Sequence, residues 1–400
     1  MAALDGLIVR VKPFVRGLSA ADLNLIAEAA ERAGAGGLEL TGRGALQVRG
    51  LGEADAAMFA RAMVEAGLAS ADAAVERRRN LQLGLGCGSN LLSVAAGLEA
   101  WLEADASLSS LPAKFGFGVS PAEGMAADIV VVGEDDIVIG GEVTIRVSTA
   151  PQTSAFPGRA SGSVAVLDAV QRLTRAFLAL ALSQPIPPRR MKGLIHAVGA
   201  AAVLAEAGLA QAIINAGASP PPLRRGGDVQ QVGPGYHGFG LGVVFGVLTA
   251  SALRTAADLA TRYGDGQILL APNRTLWLSG VPSSRATPFE AEASAAGFVV
   301  DPHDRRLRLN ACIGAAGCAR ASEDVRAAAL RLAVVAPPTG LHVSGCAKGC
   351  AHPGRAGVTL VSRGVAGRYD LILDGAPSAP ATLKDISLAE IADHLSEPAL

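Results

Sequence analysis

The feature that most constrains this chain is a repeat inside it. Without a gap, VRVKPFVRGLSAADLNLIAEAAERAGAGGLELTGRGALQVRGL from Val9 lies over FGLGVVFGVLTASALRTAADLATRYGDGQILLAPNRTLWLSGV from Phe239, an offset of 230 positions. It pairs Leu18 with Leu248, Leu23 with Leu253, Gly34 with Gly264, Gly36 with Gly266, Leu40 with Leu270 and Gly50 with Gly280. Each copy reads as a strand, a helix capped by Ser19 or Thr249, a Gly turn, and two strands joined by a polar turn. The offset continues past the copies, placing Asn80 over Asn310, Leu111 over Leu341 and the apolar run Ile129–Val132 over Thr359–Ser362. The chain therefore reads as a duplicated two-domain unit, and its 400 residues are ample for a core in each half.

Between the copies lie helical stretches over Ser163–Ser183 and Met191–Ala216, separated by the breaker QPIPPRR. A second Pro-rich loop, GASPPPLRRGGDVQQVGPG, leads into the second copy. Prolines this dense fix the chain but exclude regular pairing, so they mark the boundary between halves. Arg224 and Arg225 in that loop read as a solvated run or as contacts for an acidic ligand. Hydrophobic residues make up 50% of the chain and aromatics only 4%, so the core is expected from Ala, Val and Leu. A net charge of −1 with both signs interspersed predicts neither a nucleic-acid footprint nor a polybasic membrane face. MAALDGLIVRVKPF alternates like a strand and lacks the parts of a secretory signal. The apolar tract Leu194–Ala218 is interrupted by His196, Glu206, Gln211 and Asn215, which predicts a buried amphipathic helix rather than a membrane span. A soluble, cytoplasmic protein is expected.

Four of the five cysteines form two tight pairs, Cys312-x5-Cys318 in ACIGAAGCARA and Cys346-x3-Cys350 in HVSGCAKGCAHP. Thiolates from two loops can enclose an iron–sulfur cluster, and Gly314, Ala315, Ala316, Gly317, Gly345, Ala347 and Gly349 let the backbone approach it closely. A tetrahedral zinc site, two disulfides and four unrelated core cysteines are the competing readings. Structural zinc favours pairs two to four residues apart, so the longer first gap argues against it. Disulfides require an oxidising compartment, for which the sequence gives no sign. Cys87 in GLGCGSN stands apart, and as a small buried hydrophobe it needs no chemistry.

The cysteine strings resemble the C-terminal segment of the nitrite and sulfite reductase superfamily, whose members hold a 4Fe-4S cluster with a C-x5-C…C-x3-C pattern. Within the superfamily they look most like its tetrapyrrole oxygenase branch, which acts on precorrin-3A in aerobic cobalamin biosynthesis. Ala347-Lys348 stands where the reductases more often carry Pro-Asn. The resemblance implies an α+β fold of pseudo-two-fold symmetry, each half a ferredoxin-like half-domain followed by a larger α/β domain. It lays the units out as residues 1–68 and 233–292 for the half-domains, 69–232 for the first α/β domain with its connector, and 293–400 for the α/β domain that carries the cluster. The catalytic pocket is expected between the halves, with Cys312, Cys318, Cys346 and Cys350 as cluster ligands.

A tetrapyrrole with acetate and propionate arms needs several Arg and Lys residues converging from different segments. Arg43 in TGRGALQ resembles the family's T-x-R-x-x-x-Q turn, Arg79-Asn80 in ERRRNLQLG its R-N motif, and Lys114 in LPAKFGF the first lysine of its L-P-x-K-F string. Arg43, Arg79 and Lys114 are thus the candidate substrate-binding residues, expected around one cavity that faces the Cys346–Cys350 loop. As residues alone, they could equally be exposed charges at strand ends. Sulfite reductases place a second, oxyanion-binding lysine where this chain has Gly116, so the substitution disfavours sulfite or nitrite reduction.

The resemblance implies an oxidoreductase that consumes precorrin-3A and dioxygen, hydroxylating C20 and closing a γ-lactone, with a non-haem iron or a comparable oxygen-activating centre beside the cluster. No facial triad of two His and a carboxylate stands out in the sequence. His342 reads as a packed hydrogen-bonding group and His196 as a satisfied core residue, while His352 and His237 have no assigned role. AGAGG at residues 33–37 follows a helix, so it reads as a C-cap rather than a dinucleotide fingerprint. Without a flavin or nucleotide motif, electrons are expected from a separate reductase or ferredoxin. Two other functions stay open: a sirohaem-dependent sulfite or nitrite reductase, and a non-catalytic iron–sulfur electron carrier or tetrapyrrole-binding protein.

Overall fold

Among the described residues, four five-stranded sheets, two in each half, organise the fold. A computed structural model describes residues 2–122, 124–133, 136–140, 143–146, 161–209, 226–365 and 367–396. Arg224 and Arg225, with the end of the 194–218 tract, lie outside the described residues.

The two copies of the repeat form the centre. Helix Ala20–Arg32 begins at Ser19, whose side chain accepts from Asp22 N while the Asp22 carboxylate accepts from Ser19 N, a capping box. Helix Ala250–Tyr263 begins at the equivalent Thr249, which accepts from Ala252 N at 3.0 Å. The two helices pack against each other and share one core, in which Leu23, Ile26 and Phe59 meet Leu253, Ala256 and Phe289. Each copy also lends a two-residue strand to the other. Leu18–Ser19 pairs with Gln267–Ala271, and Val247–Leu248 pairs with Gly37–Leu40. This exchange of edge strands covers an exposed edge on each sheet and locks the halves together. Gly50 and Gly280 both turn with positive φ, 74° and 77°, as their pairing in the repeat requires.

The outer sheets repeat a second pattern. Strands Leu81–Leu83, Phe117–Ser120 and Ile129–Val132 run parallel, followed by two antiparallel strands. In the second half Leu309–Ala311, Leu341–Ser344 and Ala356–Ser362 do the same. The offset of 230 does not survive here. Leu81 pairs with Phe117 as Leu309 pairs with Leu341, so the equivalent of Leu341 is Phe117, while Leu111 lies in the loop before it. Connections of unequal length cause the drift, because loop length changes cost little.

Two expectations about the connector are corrected. The tract from 194 is not one helix: Met191–Val198 ends at Gly199, where φ is 82°, and Ala200–Glu206 starts anew. His196 faces solvent rather than the core. Residues 33–37 do form a C-cap and turn, with Gly34 at φ 62°. Among the described residues no helix is long and apolar enough to cross a membrane.

Candidate functional site

Strands Leu309–Ala311 and Leu341–Ser344 are adjacent and parallel, so the loops that follow them leave the sheet at the same edge. Those loops carry the cysteine pairs. Cys312, Cys318, Cys346 and Cys350 all line one cavity of about 290 Å³. Gly345 N donates to Cys312 Sγ at 3.4 Å, and Ser344 Oγ donates to Cys346 O at 2.7 Å. A Cβ at Gly345 would come within 2.5 Å of Ala321 Cβ, so only glycine lets the two loops meet this closely. Desolvation raises the Cys350 thiol pKa, opposed by Lys348 and reinforced by the other three cysteines. Among the described residues no set of three or more His, Cys, Asp or Glu converges on a single metal ion.

The opposite wall comes from the first half. Glu39 and Gln47 face each other across strands Gly37–Leu40 and Leu46–Leu51, and Thr41, Gly42 and Arg49 continue the wall. Three guanidiniums border the cavity. Arg49 is buried and holds Asp5 at 3.1 Å and Glu39 at 3.5 Å. Arg326 also pairs with Glu39. Arg274 donates to Asn310 Oδ1 at 3.0 Å and, at 3.4 Å, to Ala351 O just past Cys350. Its pKa is lowered first by desolvation and then by Arg326, with Glu39 acting against both. Three cations against Glu39, with Asp5 behind Arg49, suit an anionic occupant.

None of Arg43, Arg79 and Lys114 lines this cavity, contrary to the expected convergence around the cysteine loop. Arg43 stands one residue beyond Gly42, exposed, on a bridge to Pro272. Its pKa is lowered by desolvation, then by Arg190 and Arg10, while Asp128 opposes them. Arg79 is almost wholly buried, with 1% of its surface exposed. It donates to Lys12 O at 3.0 Å and Glu76 Oε2 at 3.1 Å, and stacks over the Phe14 ring at 3.7 Å. Lys12 lies beside it. Desolvation lowers the Lys12 pKa to about 8, aided by Arg79 and Arg10 and opposed by Glu76. Lys114 is exposed, and the carbonyls on either side of it, Ala113 O and Phe115 O, accept from Asn80 Nδ2.

Gly116 N donates to the buried Asp128 carboxylate at 2.9 Å, and Arg190 pairs with the same group at 2.9 Å. A Cβ at Gly116 would find nothing closer than Asn80 O at 3.5 Å, so this glycine is not imposed by crowding. Sequence reading singled out none of Arg10, Lys12, Arg49, Arg190, Arg274 and Arg326. The repeat held one signal for them: PNRTLW lies over GRGALQ, setting Arg274 beside the position that matches Arg43.

His342 lies fully buried on the sheet face opposite its neighbours Leu341 and Val343, in one row with Asn310 and Thr359. Neither ring nitrogen has a hydrogen-bond partner, which corrects its expected role as a hydrogen-bonding group. Desolvation first, then His352 and Arg274, lower its pKa to about 4. His352, whose ring centroid is 5.8 Å away, bonds Arg355 O. His237 Nδ1 meets Ser283 Oγ at 3.3 Å. Cys87 lies outside the cysteine cavity, and burial pushes its thiol up to about 12.

The nitrite/sulfite reductase ferredoxin-like half domain matches twice, at residues 2–66 and 228–296. Over 97% of the chain the fold superposes on 79% of the Mycobacterium tuberculosis NirA protein, with a TM-score of 0.73 and 19% identity. The fold is therefore nitrite/sulfite reductase-like, built on paired half domains. Within that class the chain resembles precorrin-3B synthase. It is 27% identical to the Sinorhizobium enzyme of that name over 394 aligned positions, covering 93% of this chain and 80% of the relative. The haemoprotein β-component of an NADPH sulfite reductase from Nitrosomonas europaea is 28% identical, but over 36% of this chain and 27% of its own length.

Proposed function

We propose that this chain is a precorrin-3B synthase, an oxidoreductase that converts precorrin-3A to precorrin-3B with dioxygen. Similarity to an enzyme of that name along 93% of the chain is the observation that carries the reading. The partial sulfite reductase match and Gly116 in place of a second oxyanion lysine speak against the sirohaem alternative. A simple electron carrier would have no use for the Arg-bordered cavity.

The residues present suit a 4Fe-4S cluster: four thiols border one cavity, on loops whose glycines permit close backbone approach. In this reading Cys312, Cys318, Cys346 and Cys350 hold the cluster, which supplies single electrons when bound. Arg274 and Arg326 keep the cavity positive, favouring the carboxylate arms of a tetrapyrrole. Arg43 and Lys114, both exposed, contact those arms directly. Arg79 acts from beneath by fixing the Lys12–Phe14 segment, which holds Lys12 near Arg10 with its ammonium on Glu76 O. Clamping the arms at several points sets one edge of the macrocycle toward the cysteine loop, so reaction is confined to one position. One atom of dioxygen enters the macrocycle, and the reducing equivalents for the other come from a separate reductase or ferredoxin.

Anaerobic reconstitution followed by iron, sulfide and optical analysis tests the cofactor. The reading expects a broad cluster absorption with no sirohaem. Stoichiometric sirohaem, with strong Soret-region and red bands and sulfite turnover, would overturn it.

A further inference from the structure

The internal symmetry that builds the cysteine cavity also builds a counterpart on the other side of the molecule. Gln47 faces Glu39 across the first central sheet, and Trp277 faces Leu269 at the corresponding place in the second. Cys312 directly follows strand Leu309–Ala311, and Gly84 directly follows strand Leu81–Leu83. Leu83, Gly84, Leu269, Trp277 and Ser279 all line one cavity of about 430 Å³ between the first outer sheet and the second central sheet. It is thus the pseudo-two-fold mate of the cysteine cavity, which lies between the second outer sheet and the first central sheet.

The chemistry of the walls has been exchanged position by position. Glu39 becomes Leu269, Gln47 becomes Trp277, Arg49 becomes Ser279 and Cys312 becomes Gly84. Among the described residues no Lys or Arg lines the second cavity. Its one carboxylate, Asp265, is already engaged by Ser279 Oγ at 2.8 Å and Gln267 N at 2.9 Å. Trp277 is fixed in place because Gly238 beneath it has no room for a Cβ, which would stand 2.3 Å from Cζ2. Leu92 and Tyr236 are partly exposed at the same cavity. Gln230, also in the wall, has an Oε1 with no partner.

We propose that this second cavity is a binding site for an uncharged planar aromatic molecule carrying an N–H or O–H donor. Its volume falls in the range of small-molecule sites. Leu83, Leu92 and Leu269 offer apolar contact, the half-exposed Tyr236 a surface for offset stacking next to the buried Trp277, and the Gln230 amide an unspent acceptor that a turn of its side chain brings to the occupant. A polycarboxylate is excluded, because nothing in the wall would neutralise it. Cys87 contributes packing only, since its thiol stays protonated.

Lumichrome, a neutral fused tricycle with N–H donors, serves as the probe. The chain has two tryptophans, so Trp101→Phe leaves Trp277 as the sole reporter. Lumichrome should quench Trp277 emission saturably, at one equivalent. Ser279→Arg, which restores the counterpart of Arg49, should weaken binding at least tenfold. Leu92→Glu at an exposed position should do the same, and circular dichroism checks that both variants stay folded. Uroporphyrin should not compete. Linear, unsaturable quenching, equal affinity in both folded variants, or displacement by uroporphyrin would each overturn the assignment.

Discussion

Arg79→Ala separates a residue that holds the site in shape from one that touches substrate. Truncation removes a charge-assisted bond to Lys12 O and the ion pair to Glu76, at about 1.5–3 kcal/mol each, and the stacking on Phe14, at about 1–2 kcal/mol. These terms share partners and do not add in full. Glu76, with Oε1 already unpaired and 21% of its side chain exposed, would keep only Lys12 as a nearby cation. Breaking its pair with the buried Arg79 costs about 3–5 kcal/mol, which is the expected loss. Urea unfolding of the apo chain under reducing conditions measures it, since guanidinium chloride would screen the ion pair. Lys114→Ala is the contrast: at an exposed position its effect on stability should stay within about 0.5 kcal/mol, while tetrapyrrole binding weakens by about 1.5–3 kcal/mol. A loss below about 1 kcal/mol for Arg79→Ala would refute the structural role drawn from its burial.

Each of Cys312→Ala, Cys318→Ala, Cys346→Ala and Cys350→Ala should abolish cluster absorption after reconstitution, whereas Cys87→Ala should retain full iron and sulfide content. His342 has a folded pKa of about 4 against an ordinary 6.5, so the unfolded chain binds the extra proton between those values. Stability of the apo protein should therefore fall as pH drops from about 6.5 to 4, and His342→Leu should flatten that slope in urea titrations. Gly116→Lys should fold, because the added Cβ meets nothing closer than Asn80 O at 3.5 Å, an ordinary van der Waals contact, and should bind sulfite more tightly than the parent in calorimetry.

The central units were legible because their packing is local: a capped helix and two strands recur without a gap, and Ser19 and Thr249 occupy the same cap. The outer sheets were legible in kind but not in register, since loops of unequal length carry Phe117 and Leu341 out of the shared offset. The cysteine quartet could be read from spacing, yet its neighbours could not. Arg49, Arg274 and Arg326 come from three separate segments that only the folded halves bring to one cavity. Arg79 read as a charge at a strand end because no one-dimensional pattern reveals that the Lys12–Phe14 segment closes over it. His342 alternates correctly for a strand, but pattern alone does not show that its buried ring lacks partners.

The most direct test of the proposed function is a single turnover of precorrin-3A by the anaerobically reconstituted protein, reduced chemically and then exposed to isotopically labelled dioxygen. Mass spectrometry should find one labelled oxygen atom in a hydroxylated γ-lactone product. Unchanged precorrin-3A from protein with full iron and sulfide content, or a product whose new oxygen comes only from water, would contradict the proposal.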